Sequence, residues 1–178
     1  MNLWVFLWAA VLLSLERLCY AWIWHAPEAF RTLCARPAMA SLGSPIEIVQ
    51  KLFYGFKGLQ GAVFIGWCAW YSAGSFWPLP GGLGALGLGA AMIVAGQMLN
   101  LSVFYHLGKV GVFYGNKLGY ALPWCRAFPF SWLTHPQYVG TVLSIWGFFL
   151  VMRFPHDDWY LVPSLETAYY AFGAYYER

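Results

Sequence analysis

The chain has 178 residues, of which 61% are hydrophobic and 10% charged, and its mean hydropathy is +0.56. A soluble domain carries about 25% charged residues and needs them to cover its surface, so these values exclude a soluble globular protein. The net charge of +3 is spread along the chain without a basic block, which excludes a nucleic-acid surface.

The first predicted element is a transmembrane helix over about Leu3–Trp24. It is too long for a signal-peptide core and lacks a basic leader, so it reads as a retained span. Glu16 and Arg17 sit inside it. Ionisable groups at that depth are costly, which predicts that they face protein or lie near the interface, as a structural polar contact. His25 to about Lys57 is the most polar stretch, with Arg31, Arg36, Lys51 and Lys57 against Glu28 and Glu47. Within it, Ser44-Pro45-Ile46-Glu47 predicts a helix start: a Ser cap, Pro at the first position and an acid in the first turn. That helix is expected to run along the surface and to enter the membrane as a second span over about Gly58–Phe76. The uncharged segment Trp77-Pro78-Leu79-Pro80-Gly81-Gly82 predicts a tight turn.

A third span follows over about Leu83–Leu107, its first half rich in Gly and Ala, which let membrane helices approach closely. Gly108–His135 reads as a loop with Lys109, Lys117 and Arg126, no acid and many aromatics. A fourth span is expected from Pro136 to Val151, ended by Arg153-Phe-Pro-His-Asp-Asp158. A last helix over about Trp159–Glu177 is short and semi-polar; it either crosses in part or pairs with span four as a hairpin. The expected fold is therefore an all-α integral membrane protein, a bundle of four to five transmembrane helices. By the positive-inside rule, the basic 25–57 and 108–135 stretches face the cytoplasm. The four cysteines are isolated and lack metal spacing, so neither a metal site nor a disulfide framework is expected.

Three features carry the candidate chemistry. On span three, Gly96, Asn100 and Val103 share one helix face, and Gly96 leaves room for a ligand or for a neighbouring helix. At the start of span four, Pro136 suits the first helical position, and free N–H groups with His135, Gln137 and Tyr138 line the mouth. On the last helix, Glu166, Tyr170, Gly173 and Glu177 form one polar stripe, read either as an exposed face or as part of a site. Aromatic residues around these features, Tyr105 and Tyr114 among them, suit either an interfacial belt or a seat for an ammonium or sulfonium cation.

The segments Gly96-Gln-Met-Leu-Asn-Leu-Ser-Val-Phe-Tyr-His-Leu-Gly-Lys-Val-Gly-Val-Phe-Tyr-Gly115, Leu118-Gly-Tyr-Ala-Leu-Pro-Trp124, Phe128-Pro-Phe130 and His135-Pro-Gln-Tyr-Val-Gly140 together resemble the phospholipid N-methyltransferases, above all the short plant-type branch. The similarity is clear over about residues 90–145. It implies a single transmembrane methyltransferase domain over 1–178 in the endoplasmic-reticulum membrane, with its active site facing the cytoplasm. The implied methyl donor is S-adenosyl-L-methionine and the implied substrate a phospholipid amine. The expected donor contacts are Val94, Ala95, Gly96, Asn100, Gln137, Gly140, Glu177 and Arg178. Related enzymes carry Gly-x-Gly where this chain has Val94-Ala95-Gly96, and paired glutamates where it has Glu177-Arg178. The expected catalytic residues are His135, Tyr138 and Glu177, with Tyr105, Tyr114, Lys117 and Arg126 toward the lipid. Two other readings stand beside this one: an isoprenylcysteine carboxyl methyltransferase-like enzyme, and a non-enzymatic lipid-binding protein with a decayed site.

Overall fold

In the computed structural model, residues 2–72, 82–123 and 125–177 are described, and all their regular structure is helical. The helices are α1 (Leu3–His25), α2 (Pro27–Cys34), α3 (Pro37–Ala40), α4 (Pro45–Tyr71), α5 (Gly82–Val112), α6 (Pro136–Met152) and α7 (Leu161–Tyr176). The predicted 77–82 turn falls, except for Gly82, outside the described residues, as do Trp124 and Arg178.

The start of α4 follows from its sequence. Ser44 Oγ accepts from the Glu47 backbone N–H, and the Glu47 carboxylate accepts from the Ser44 N–H at 2.8 Å, a reciprocal capping box ahead of Pro45. The helix then continues unbroken to Tyr71, so the expected surface helix and second span are one element. α5 breaks at Gly108, whose φ of 59° lies in the left-handed region, one residue after the predicted end of span three. The short helices α2 and α3, each with Pro in its first turn, occupy a stretch for which no separate helix was expected.

α1 and α5 are long and apolar enough to cross a membrane. α6 and α7, with 17 and 16 residues, reach only about 25 Å at 1.5 Å per residue, against a hydrocarbon core of about 30 Å. They form the expected hairpin, joined through Arg153–Tyr160. On α1 the inward face carries Leu13, Glu16, Arg17, Tyr20 and Ile23, whereas the outward face is Trp4, Leu7, Trp8, Val11, Leu15, Leu18 and Trp22. The more polar face is thus inside and the apolar one outside, the reverse of a helix in water and the arrangement a bilayer demands.

The tightest packing joins α5 to α6. A Cβ built on Gly140 would lie 2.6 Å from the Gly96 carbonyl oxygen, and one on Gly147 would lie 2.5 Å from that of Gly89. Two glycine pairs, seven residues apart on both helices, let the backbones touch, which is how membrane helices associate where apolar burial supplies little force. Two apolar clusters complete the bundle. One centres on Phe64, Trp67, Phe149 and Val162, the other on Ile23, Phe30, Val49 and Phe113. The second cluster gathers the basic stretches 25–57 and 108–135 at one end of the bundle, and Lys109 pairs there with Glu47 at 3.4 Å.

Candidate active site

A cavity of about 750 Å³ opens at that end, between the last turns of α1 and α7, the first turn of α6 and the segment after α5. Pro136 opens α6, so the helix begins where the resemblance requires, with His135 as its N-cap residue. The His135 ring stacks on Tyr138 with centroids 5.5 Å apart and planes within 11° of each other. At the C-cap of α7, Glu177 Oε1 accepts from the Tyr138 hydroxyl and from the Tyr114 hydroxyl, each at 2.6 Å. One carboxylate oxygen thereby ties the start of α6, the end of α7 and the segment after α5.

Tyr114 holds its part of this arrangement in a backbone conformation with φ of 57°. For a residue with a Cβ this region costs about 1–2 kcal/mol. The Glu177 contact offsets that cost, as does edge-on packing against Tyr20 at 5.7 Å and Trp24 at 5.6 Å. Burial, with the neighbouring Tyr138 and the Glu177 charge, pushes the Tyr114 hydroxyl well above its ordinary pKa, so it stays a donor.

The predicted site residues separate into those the fold collects and those it does not. His135, Gln137, Tyr138, Tyr114, Arg126 and Glu177 line the cavity. Gly96 and Gly140 are buried against each other, so the missing side chain at Gly96 makes room for α6 rather than for a ligand. Asn100 lies at the same crossing, its Oδ1 buried without a partner, on the wall of a second cavity of about 600 Å³ between α4, α5 and α6. Val94, 60% exposed, and Ala95 face outward and line neither cavity. Tyr105 is 85% exposed on the outer side of α5, beside His106. It faces away from the site because its neighbours Val103 and Phe104 take the inward face. Lys117 places its ammonium 4.1 Å from the Trp24 ring centre and reaches the cavity only through that ring. Arg178 lies outside the described residues.

The polar stripe on α7 turns inward: Glu166, Tyr170 and Gly173 are buried. It meets a group of residues for which no role in a site was expected. Lys57 Nζ donates to Tyr170 at 2.9 Å, to Gln60 at 3.1 Å and to Glu16 at 3.2 Å, and Gln60 donates to Glu166 at 2.7 Å. Arg17 lies 2.9 Å from Glu16, with its guanidinium 4.1 Å from the Tyr170 ring centre and 5.6 Å from that of Tyr138. The signal that finds these residues is depth: two adjacent charges in the middle of an apolar span, and a glutamate well inside the last helix.

This geometry suits a reaction on a cationic or amine-bearing reactant. It offers a carboxylate held by two hydroxyls, an imidazole, and ring faces that attract ammonium and sulfonium groups. Comparison with known proteins agrees. The family model for phospholipid methyltransferases matches residues 85–178, more than half of the chain and the whole of α6 and α7. The chain belongs to the phospholipid methyltransferase family and is an enzyme, which removes the reading of a non-enzymatic lipid-binding protein. It is 28% identical over 128 residues to phosphatidyl-N-methylethanolamine N-methyltransferase of Arabidopsis thaliana, an alignment covering 71% of this chain and 67% of the relative. No solved structure matches it. Family membership implies a methyl donor. A cavity of this size with a carboxylate, several aromatic faces and the buried guanidinium of Arg17 fits a donor that carries a cation and an anion together.

Proposed function

We propose that the protein methylates the amine of phosphatidyl-N-methylethanolamine and phosphatidyl-N,N-dimethylethanolamine, the last steps of phosphatidylcholine synthesis. The donor is S-adenosyl-L-methionine. In this reading α1, α4 and α5 cross the endoplasmic-reticulum membrane with the α6–α7 hairpin packed among them, and the basic end faces the cytoplasm. The observation that carries the reading is the Glu177–Tyr114–Tyr138 cluster beside His135, inside one cavity at the basic end. The second cavity supports a lipid substrate: it is largely apolar, opens between α4, α5 and α6, and shares Phe53, Lys57, Gln137 and Thr141 with the first.

Bound S-adenosylmethionine would supply a methyl group on a positively charged sulfur. The substrate amine is protonated near neutral pH, and only its neutral form has a lone pair to offer, so the site must accept a proton. His135 and Glu177 are the acceptors at the cavity mouth. Tyr138, bonded to Glu177 and stacked on His135, fixes both and orients the amine. The same rings favour the quaternary ammonium product. Of the four residues expected toward the lipid, Tyr114 and Arg126 line this cavity, and Arg126 is the cation that would meet the phosphate.

The test uses purified protein in micelles with radiolabelled donor, offered monomethylated phosphatidylethanolamine and a prenylated cysteine side by side. Label in the lipid alone is expected. Label in the prenylated cysteine alone would transfer the protein to the carboxyl methyltransferase reading, and no label in any lipid amine would overturn the proposed substrate.

A further inference from the structure

Arg17 is 3% exposed, yet its Nε and Nη1 make no hydrogen bond. Its contact with Glu16 Oε1 at 2.9 Å brings charges together without an aligned hydrogen bond, and the same oxygen lies 3.1 Å from Lys57 Nζ. Two cations therefore share one carboxylate. Two further acids of this region are engaged elsewhere, Glu166 by Gln60 and Glu177 by two tyrosines. Rings of Tyr20, Tyr138 and Tyr170 surround the guanidinium at 5.5, 5.6 and 4.1 Å. Ring faces attract its charge but offer no acceptor for its N–H groups. Tyr20 repeats the pattern: it is buried and its hydroxyl is also without a partner. Both residues line the 750 Å³ cavity, on the wall shared with Tyr138 and Glu177. Buried donors left unmatched are costly and rare, charged ones most of all.

Unmatched donors, one of them a guanidinium, call for an anionic oxygen. We propose that Arg17, with the Tyr20 hydroxyl beside it, is the anion seat of this cavity and binds the carboxylate or phosphate of a reactant. The proposal rests on the methyl-transfer reading of the cavity and adds a residue from α1, which lies outside the segment matched by the family model. Two reactants bring such an anion: the amino-acid end of the donor and the phosphodiester of the lipid. The fork geometry of a guanidinium suits either.

Binding without turnover separates them. Full-length wild type, Arg17→Gln and Arg17→Lys in detergent are given four probes: S-adenosylhomocysteine, its decarboxylated analogue, a monomethylated phospholipid, and a diacylated monomethylamino alcohol without phosphate. Affinity is read by calorimetry and by thermal shift. In Arg17→Gln, one anionic probe should lose at least tenfold in affinity while its anion-free counterpart is unchanged, with Arg17→Lys intermediate. Loss for S-adenosylhomocysteine assigns the seat to the donor carboxylate, and loss for the phospholipid assigns it to the phosphate. Equal binding of every probe by wild type and Arg17→Gln overturns the proposal, and so does an equal loss for both members of each pair, which marks a structural role. Should Arg17→Gln fail to fold, Tyr20→Phe must show the same selective loss, about threefold or more, and its absence overturns the proposal. Turnover by the same wild-type sample tests the methyl-transfer reading separately, so the two can fail independently.

Discussion

Among the described residues two arginines are each 3% exposed, one on α1 and one just after α6. Arg153, at the turn between α6 and α7, is saturated. Its Nε and Nη2 reach the two oxygens of Asp158 at 2.9 and 2.6 Å, Nη2 also reaches the Tyr71 carbonyl at 3.2 Å, and Nη1 reaches Ser72 Oγ at 3.4 Å. Asp158 accepts in addition from Trp67 Nε1 at 2.8 Å. Arg17 has two of its three nitrogens unmatched. Arg153 ties α4 to the α6–α7 hairpin and lines neither of the two cavities described. The unsaturated one lines the cavity where the aromatic and acidic residues converge. Burial alone thus says little about the role of a charge in a membrane protein; what separates a clamp from a site is whether the chain itself completes the hydrogen bonds.

The comparison breaks in several measurable ways, from the largest effect down. Arg153→Ala leaves the Asp158 carboxylate without its partner and should cost about 3–5 kcal/mol of stability, read by denaturation in micelles, with the rate per folded molecule retained. Glu177→Ala should act first on the rate. It should lower methyl transfer per folded molecule by about 100-fold, equivalent to about 2.7 kcal/mol in the barrier, with a smaller stability loss of about 1–3 kcal/mol from the two tyrosine hydroxyls left without an acceptor. Labelling equal to wild type would remove Glu177 from the site. Gly96→Ala drives a methyl group into the Gly140 backbone and the Ser144 side chain on α6. It should destabilise by about 1–3 kcal/mol, since neither helix can yield without parting the crossing. Unchanged stability together with weakened donor binding would instead return Gly96 to the donor site.

The pH response of the clamp is smaller. Burial opposes ionisation of Asp158, but the hydrogen bonds from Arg153 and Trp67 and the Arg153 charge outweigh it and hold the carboxyl below the usual range. A carboxyl depressed in the folded state contributes stability above its unfolded value, about 3.9, and loses it as the pH falls through the folded one. Melting temperature should therefore fall on acidification below about pH 4, and Asp158→Asn should flatten that part of the profile. Smallest of all, Tyr105→Ala should change methyl transfer by less than about twofold, as expected of a substitution on an exposed outer face.

Much of the fold is legible in the sequence because its signals are local. Ser44, Pro45 and Glu47 mark the start of α4, Gly108 ends the regular part of α5, and Pro136 opens α6, each through its own backbone chemistry. The site is legible where the motif is contiguous, as in His135–Gly140, and where a periodic stripe leads to Glu177. It is not legible where facing depends on rotation about a helix axis. Val94 and Tyr105 share a helix with Gly96 and Asn100, and nothing in their spacing to the motif says that they point outward. Gly96 itself admits a ligand or a helix equally well on sequence, and the choice belongs to α6.

By itself, the sequence determined a helical enzyme of the phospholipid methyltransferase family with apolar helices of membrane-spanning length, its basic stretches set apart from them. Composition, hydropathy and capping chemistry are properties of the chain taken a few residues at a time, so folding does not alter them. Only the tertiary structure decided that Glu16, Arg17 and Lys57 join Tyr170 and Glu166 in one buried network, and that Arg17 is left short of acceptors beside the cavity. Those residues come from three helices more than 100 positions apart at the extremes, as Lys57 and Tyr170 illustrate with a separation of 113. Whether a buried donor has found its acceptor is a property of the assembled bundle, because Tyr170 and Glu166 reach Lys57 and Gln60 only across packed helices.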